Sequence, residues 1–227
     1  MNLTQSITAA AAVVLVSASS TALAGSEAWA DPDGQADTFS YSNGGSTDGL
    51  FGDPRVDGNT FNFSPIDFAF NSADNDGSAG STLGVTVDAG QAMVSAIRFV
   101  LLGDYSNLSG FDTETSPMLE AFGLLTLTNL ETGQSVSTSV SETYGEGTGL
   151  IELRSEASLP GDWSQVSVSL DSGLTGEAEA TSLAFGQFKS AGLAVETAAV
   201  PLPPAALAVL PLGVAAYLKK RRRGRGA

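Results

Sequence analysis

The chain has 227 residues, with 25 Asp and Glu against ten Lys and Arg, a formal net charge of −15, and neither Cys nor His. These absences exclude a disulfide framework, thiolate or imidazole metal ligation, and hydrolysis by a Ser-His-Asp or Cys-His constellation. The acidic balance and the lack of any basic stripe argue against nucleic acid as a partner, because its phosphates would be repelled.

Met1 to Thr8 holds no basic residue, Ala9 to Val16 is apolar, and small residues follow as far as Ala22-Leu23-Ala24. An apolar run of this kind ending in an A-x-A site reads as a secretory signal peptide over residues 1–24, cut so that the mature chain begins at Gly25. Export through the secretion translocon is the expectation.

Residues 25–199 are then one domain, large enough to bury about two thirds of its chain surface. All 25 acidic residues lie between Glu27 and Glu196, and the basic residues of this stretch are Arg55, Arg98, Arg154 and Lys189, a balance of −21. A solvated acidic surface that keeps a secreted protein soluble is the plainest reading of that charge.

Along this segment the dominant period is two. Leu50 and Phe51, then Phe61, Phe63 and Phe68, supply large side chains to one core. Leu83, Val85 and Val87 alternate with Gly84, Thr86 and Asp88, as expected of a half-buried strand. The longer runs Ala96 to Leu102 and Phe122 to Leu130 read as central strands covered on both faces. Glu131-Thr132-Gly133 reads as a hairpin turn into a strand carrying Val136 and Val140. Ile151 and Leu153 alternate with Glu152 and Arg154, Val166, Val168 and Leu170 with Ser167 and Ser169, and Leu183, Phe185, Leu193 and Val195 supply the closing strands. Turn formers separate these stretches at Gly44-Gly45, Asp57-Gly58-Asn59, Tyr144 to Gly149, Pro160-Gly161 and Asp171 to Gly173. No window of about a dozen residues shows capped helical spacing. About eight to eleven short strands with Gly-rich turns predict an all-β domain, an antiparallel β-sandwich of jelly-roll-like form.

Little in the segment carries chemistry. An enzyme without His would need two carboxylates facing each other across a cleft, as in glycoside hydrolysis. Trp29 and Trp163, in a terminal segment and beside a Pro-Gly turn, offer no evident sugar platform, so no catalytic residues and no enzymatic role are expected. Acidic loops offer oxygen ligands to Ca²⁺ at Asp31-Pro-Asp33-Gly and, better, at Asp74 and Asp76 within Asn71 to Gly77. Turn formation explains the same residues.

The tail, residues 200–227, sets the destination. Val200, Pro201, Leu202, Pro203 and Pro204 precede an apolar run from Ala205 to Leu218, followed by Lys219, Lys220, Arg221, Arg222, Arg223 and Arg225. As a helix the apolar run would reach about 21 Å against a hydrocarbon core of about 30 Å, so it is a marginal permanent anchor. The basic cluster at 219–227 stays cytoplasmic by the positive-inside rule, which directs the amino end of the segment outward.

This order of parts resembles the C-terminal sorting signals of the PEP-CTERM class, closest to the VPLPA-type variant, read at Val200 to Ala205 with Pro204 where the variant usually has Ala. Thr47 to Phe63 and Gly103-Asp104-Tyr105-Ser106 look like parts of the β-rich ectodomains that precede such tails. The resemblance implies an exosortase partner that cuts near Val200 to Ala205 and releases or re-anchors the protein. An ordinary single-pass anchor is the alternative for the tail. The expectation is an exported cell-surface or extracellular-matrix structural protein associated with exopolysaccharide or biofilm, passing through the inner membrane in transit. The alternative is a carbohydrate- or calcium-binding lectin-like surface module.

Overall fold

The computed structural model describes residues 27–72, 78–110, 116–161, 163–178 and 181–200. The expected signal peptide with its Ala22, Ala24 and Gly25 cleavage site, the tail from Pro201 onward, and Asp74 and Asp76 lie outside the described residues.

Thirteen strands are formed among the described residues: β1 (Glu27–Ala28), β2 (Gly34–Gln35), β3 (Ser40–Ser46), β4 (Arg55–Asp57), β5 (Thr60–Phe63), β6 (Ala69–Asn71), β7 (Ser78–Asp88), β8 (Ala92–Leu108), β9 (Met118–Asn129), β10 (Ser135–Tyr144), β11 (Gly147–Ser158), β12 (Gln165–Glu177) and β13 (Leu183–Ala199). They make two antiparallel sheets. Sheet A runs β1-β3-β7-β12-β9-β10 with β2 also on β3, and sheet B runs β11-β8-β13-β5-β4 with β6 also on β13. No helix among the described residues is long and apolar enough to cross a membrane.

Alternation of side chains decides what the sheets enclose. Leu83, Val85 and Val87 of β7 and Val166, Val168 and Leu170 of β12 are buried, as their period-two spacing predicts, and Ile97, Phe99 and Leu101 of β8 are buried in sheet B. The runs around β8 and β9 are central in their sheets but covered on one face only. Leu102 and Leu124 remain exposed, because in a two-layer sandwich each sheet has only one inner face.

An aromatic cluster fills part of the core. Phe68 meets Phe188 at 5.1 Å and Phe51 at 5.5 Å, both edge-on, and Phe63 packs near Phe51 at 5.8 Å and Trp29 at 5.5 Å. Such pairs contribute about 0.5–1.5 kcal/mol each beyond the area they bury. Trp29 and Trp163, unassigned to the core by their sequence context, are both buried in it. Trp29 lies over Gly44, where a Cβ would collide with the indole ring.

The hairpin expected at Glu131 to Gly133 joins β9 to β10. Asn129 Oδ1 accepts from the amides of Glu131 at 2.8 Å and Thr132 at 3.1 Å, and Gly133 takes the positive φ of 72° that closes the turn.

Candidate functional site

The two outer faces of the sandwich differ in chemistry. On sheet A the strand registers bring Ser42, Thr86, Ser167, Thr128 and Ser135 into one line across five strands, and the next line holds Ser169, Thr126 and Ser137. Hydroxyls there satisfy one another, with Thr128 Oγ1 at 2.9 Å from Ser135 Oγ and Thr126 Oγ1 at 3.1 Å from Ser137 Oγ.

Sheet B gathers the cations. On β8 the buried Ile97, Phe99 and Leu101 leave Arg98, Val100, Leu102 and Asp104 pointing outward. Their partners fix the rest of the face: Val100 lies opposite Arg154 of β11 and Gly192 of β13, Gly192 opposite Asn62 of β5, and Asn62 opposite Arg55 of β4. Arg55 and Arg154 therefore end one line of five strands, about 19 Å apart at the usual strand spacing. Lys189 joins the face at an irregularity in β13 between Phe188 and Ser190. All four basic residues of the segment 27–200 thus stand on this one face.

Carboxylates on the same face hold three of them. Arg98 donates from Nε and Nη2 to Glu156 Oε2 at 3.0 and 2.8 Å, and from Nη2 to Glu196 Oε1 at 3.1 Å. The hydrogen bond and charge of Glu156, then the charge of Glu196, raise the guanidinium pKa still further. Arg154 pairs with Glu152, and Lys189 Nζ lies 2.8 Å from Asp104 Oδ1. Arg55 makes no ion pair among the described residues.

Between these groups runs a shallow groove of about 250 Å³, floored by Ala191, Gly192 and Ala194, walled by Thr60 and Asn62 on one side and by Arg98, Val100 and Leu102 on the other. Its apolar lining comes from Val100, Leu102, Ala191 and Ala194, and its polar atoms from an amide, hydroxyls and a guanidinium. It can offer hydrogen bonds and an apolar strip to an oxygen-rich ligand.

Of the sequence-predicted site residues, Val200 is described, exposed immediately after β13, and so are Asp31 and Asp33. Among the described residues no group of three or more acidic side chains is placed to hold a metal ion. The other acidic stretch is engaged in local structure: Asp33 Oδ1 accepts from the amide of Asn43 at 3.0 Å, and nearby Asp53 Oδ1 accepts from that of Ala30 at 2.7 Å. The gathering of cations on sheet B was not anticipated from sequence. Its signal was the strand parity of Arg98, Glu152 and Arg154.

No protein-family model matches the chain, and no curated protein matches it. Among solved structures it is similar to TmCBM61 in complex with beta-1,4-galactotriose, at 12% identity over 60% of this chain and 70% of that one, with a TM-score of 0.23. A structure described as "CBM4 structure and function" is similar at 10% identity over 72% and 88%, also with a TM-score of 0.23. The enzymatically active domain of bacteriophage CBA120 tailspike protein 4 is similar at 9% identity over 74% of this chain and 19% of that one, again at 0.23.

Proposed function

We propose that this chain is an exported protein, delivered to the cell surface or extracellular matrix by its C-terminal sorting signal, and that its sandwich holds polysaccharide on the outer face of sheet B. The observation that carries the reading is the gathering of Arg55, Arg98, Arg154 and Lys189 on one face of a segment otherwise acidic, with Arg98 lining the groove of that face. The charge-balanced face is where a hydroxyl-rich polymer meets hydrogen-bond donors and acceptors without a dominant repulsive field.

Delivery is supported by the tail sequence, Val200 to Ala205 followed by a short apolar run and the cluster from Lys219 to Arg225. An exosortase and the secretion translocon are the partners of that route, and the inner membrane is a station on it. The protein has no catalytic role in this reading.

Two measurements test it together. Intact mass of the protein from envelope and matrix fractions is compared between the native host and a strain lacking its exosortase. The expected result is a native species ending near Val200 to Ala205, and retention of the basic tail in the mutant. The full tail in both strains overturns the sorting route. A glycan array, with and without Ca²⁺, is expected to show saturable binding. Silence on every glycan returns the domain to a passive structural component of the matrix, and binding seen only with Ca²⁺ brings Asp74 and Asp76 into the site.

A further inference from the structure

We propose that Gly192 is the floor of a subsite for one sugar ring, and that the polysaccharide bound there is uncharged. The proposal rests on the reading of the sheet B face given above and deepens it.

Gly192 lies in the interior of β13, a strand of 17 residues. A glycine there weakens a strand, since it brings no side chain to pack and loses more backbone freedom on folding. The usual compensations are missing. Its φ is outside the left-handed region, and a Cβ at this position would meet no atom within 4 Å. At Gly103 and Gly186, by contrast, a Cβ would collide with the Gln187 backbone and with Leu119. Neither folding nor packing requires Gly192, and the open space above it is the groove. A strand glycine under open space permits close approach of a ligand to the backbone.

The groups around that space suit a sugar. Val100 and Leu102 give an apolar strip for the C–H face of a ring, while Thr60, Asn62 and Arg98 give hydrogen-bonding groups for its hydroxyls. Arg98 is already fixed by Glu156 and Glu196, so little side-chain freedom is lost on binding.

The charge balance decides against an acidic polymer. The four cations share their face with Asp57, Asp104, Glu152, Glu156 and Glu196, and three of the four are already paired. An anionic chain would have to displace those carboxylates and approach a segment whose balance is −21. A neutral polyol meets neither obstacle.

The test uses the purified protein and its Gly192→Val variant, titrated with a neutral β-glucan, a neutral galactan and polygalacturonate. The wild type is expected to bind a neutral polymer, with affinity changing by less than about threefold between about 50 and about 500 mM NaCl. Gly192→Val is expected to weaken that binding by about tenfold or more while its melting temperature stays level or rises. Gly192→Ala, which fills less of the groove, gives a smaller loss and guards against a folding defect in the larger variant. Unaltered binding by Gly192→Val overturns the subsite and leaves the face reading standing. Tighter, salt-sensitive binding of polygalacturonate overturns the neutral ligand. Silence of the wild type towards all three polymers overturns the face reading itself.

Discussion

Asn107, fully buried in β8 of sheet B, donates from Nδ2 to the carbonyl of Tyr144 at 2.8 Å, and so ties the last residue of β10 in sheet A to the opposite layer. The same nitrogen donates to the carbonyl of Gly145 at 3.0 Å, clamping the turn that carries the chain from one sheet to the other. Tyr144 is half-buried and Gly145 exposed, so each lost hydrogen bond costs about 0.5–1.5 kcal/mol net. Asn107→Ala is therefore expected to lower unfolding stability by about 1–3 kcal/mol. Urea denaturation of the purified variant measures it, and an unchanged midpoint would show that water replaces the amide.

Tyr144 gives the fold a dependence on alkaline pH. Its ring packs against Tyr105 at 4.7 Å, and its hydroxyl donates to Glu142 Oε2 at 2.9 Å. Burial first, then the hydrogen bond and charge of Glu142, push the phenol well above the ordinary tyrosine value. The unfolded chain loses this proton near pH 10 while the folded chain keeps it, so the folded state binds more protons in that range and stability falls as pH rises. The contribution is whole below about pH 10 and is lost as pH climbs towards the folded value. Melting curves of wild type and Tyr144→Phe are expected to differ most near neutral pH and to converge above about pH 10. A difference that is constant with pH would dissociate Tyr144 from the alkaline loss.

Two glycines should respond in opposite ways to the same substitution. Gly44→Ala drives a methyl group into the Trp29 ring and is expected to cost about 1–3 kcal/mol, the usual penalty of overpacking. Gly192→Ala meets nothing and is expected to leave stability unchanged or to raise it by about 0.5–1 kcal/mol. Thermal unfolding of the two variants side by side decides the point. Equal losses would mean that the space above Gly192 is closed in solution.

Phe68 sits between Phe51 and Phe188, edge-on to both rings. Phe68→Ala is expected to cost about 3–5 kcal/mol, from lost burial and the cavity left behind. Differential scanning calorimetry would show a large drop in melting temperature with the transition still cooperative. A loss below about 1 kcal/mol would mean that the neighbouring rings collapse into the space.

Much of the sandwich was legible because period two is a local property. Leu83 to Val87 and Val166 to Leu170 announce their inner faces without reference to any partner strand. The Asn129 turn was legible for the same reason, its hydrogen bonds reaching only two and three residues along the chain. Trp29 was not, since it is buried by Gly44, Phe61 and Phe63, and nothing near it in sequence has a period. The candidate site was half legible. Parity on each strand put Arg98 and Arg154 outward, but the neighbourhood of Arg55, Gly192 and Arg154 depends on strand order, which sequence spacing does not encode. A continuous apolar run does not say how many layers lie over it, so β8 and β9, whose runs predict cover on both faces, are covered on one.

The position of β13 has a mechanical consequence. This strand carries the groove floor at Gly192, is hydrogen-bonded to β8 on one side and to β5 and β6 on the other, and leads through an irregularity at Glu196–Thr197 to Val200. A load applied between a polymer lying on the face and the end of the chain would pass along β13 itself. The flanking ladders would bear it in shear, sharing the strain among many bonds, whereas a tug on β1 at the rim of sheet A would open its short pairing one bond at a time.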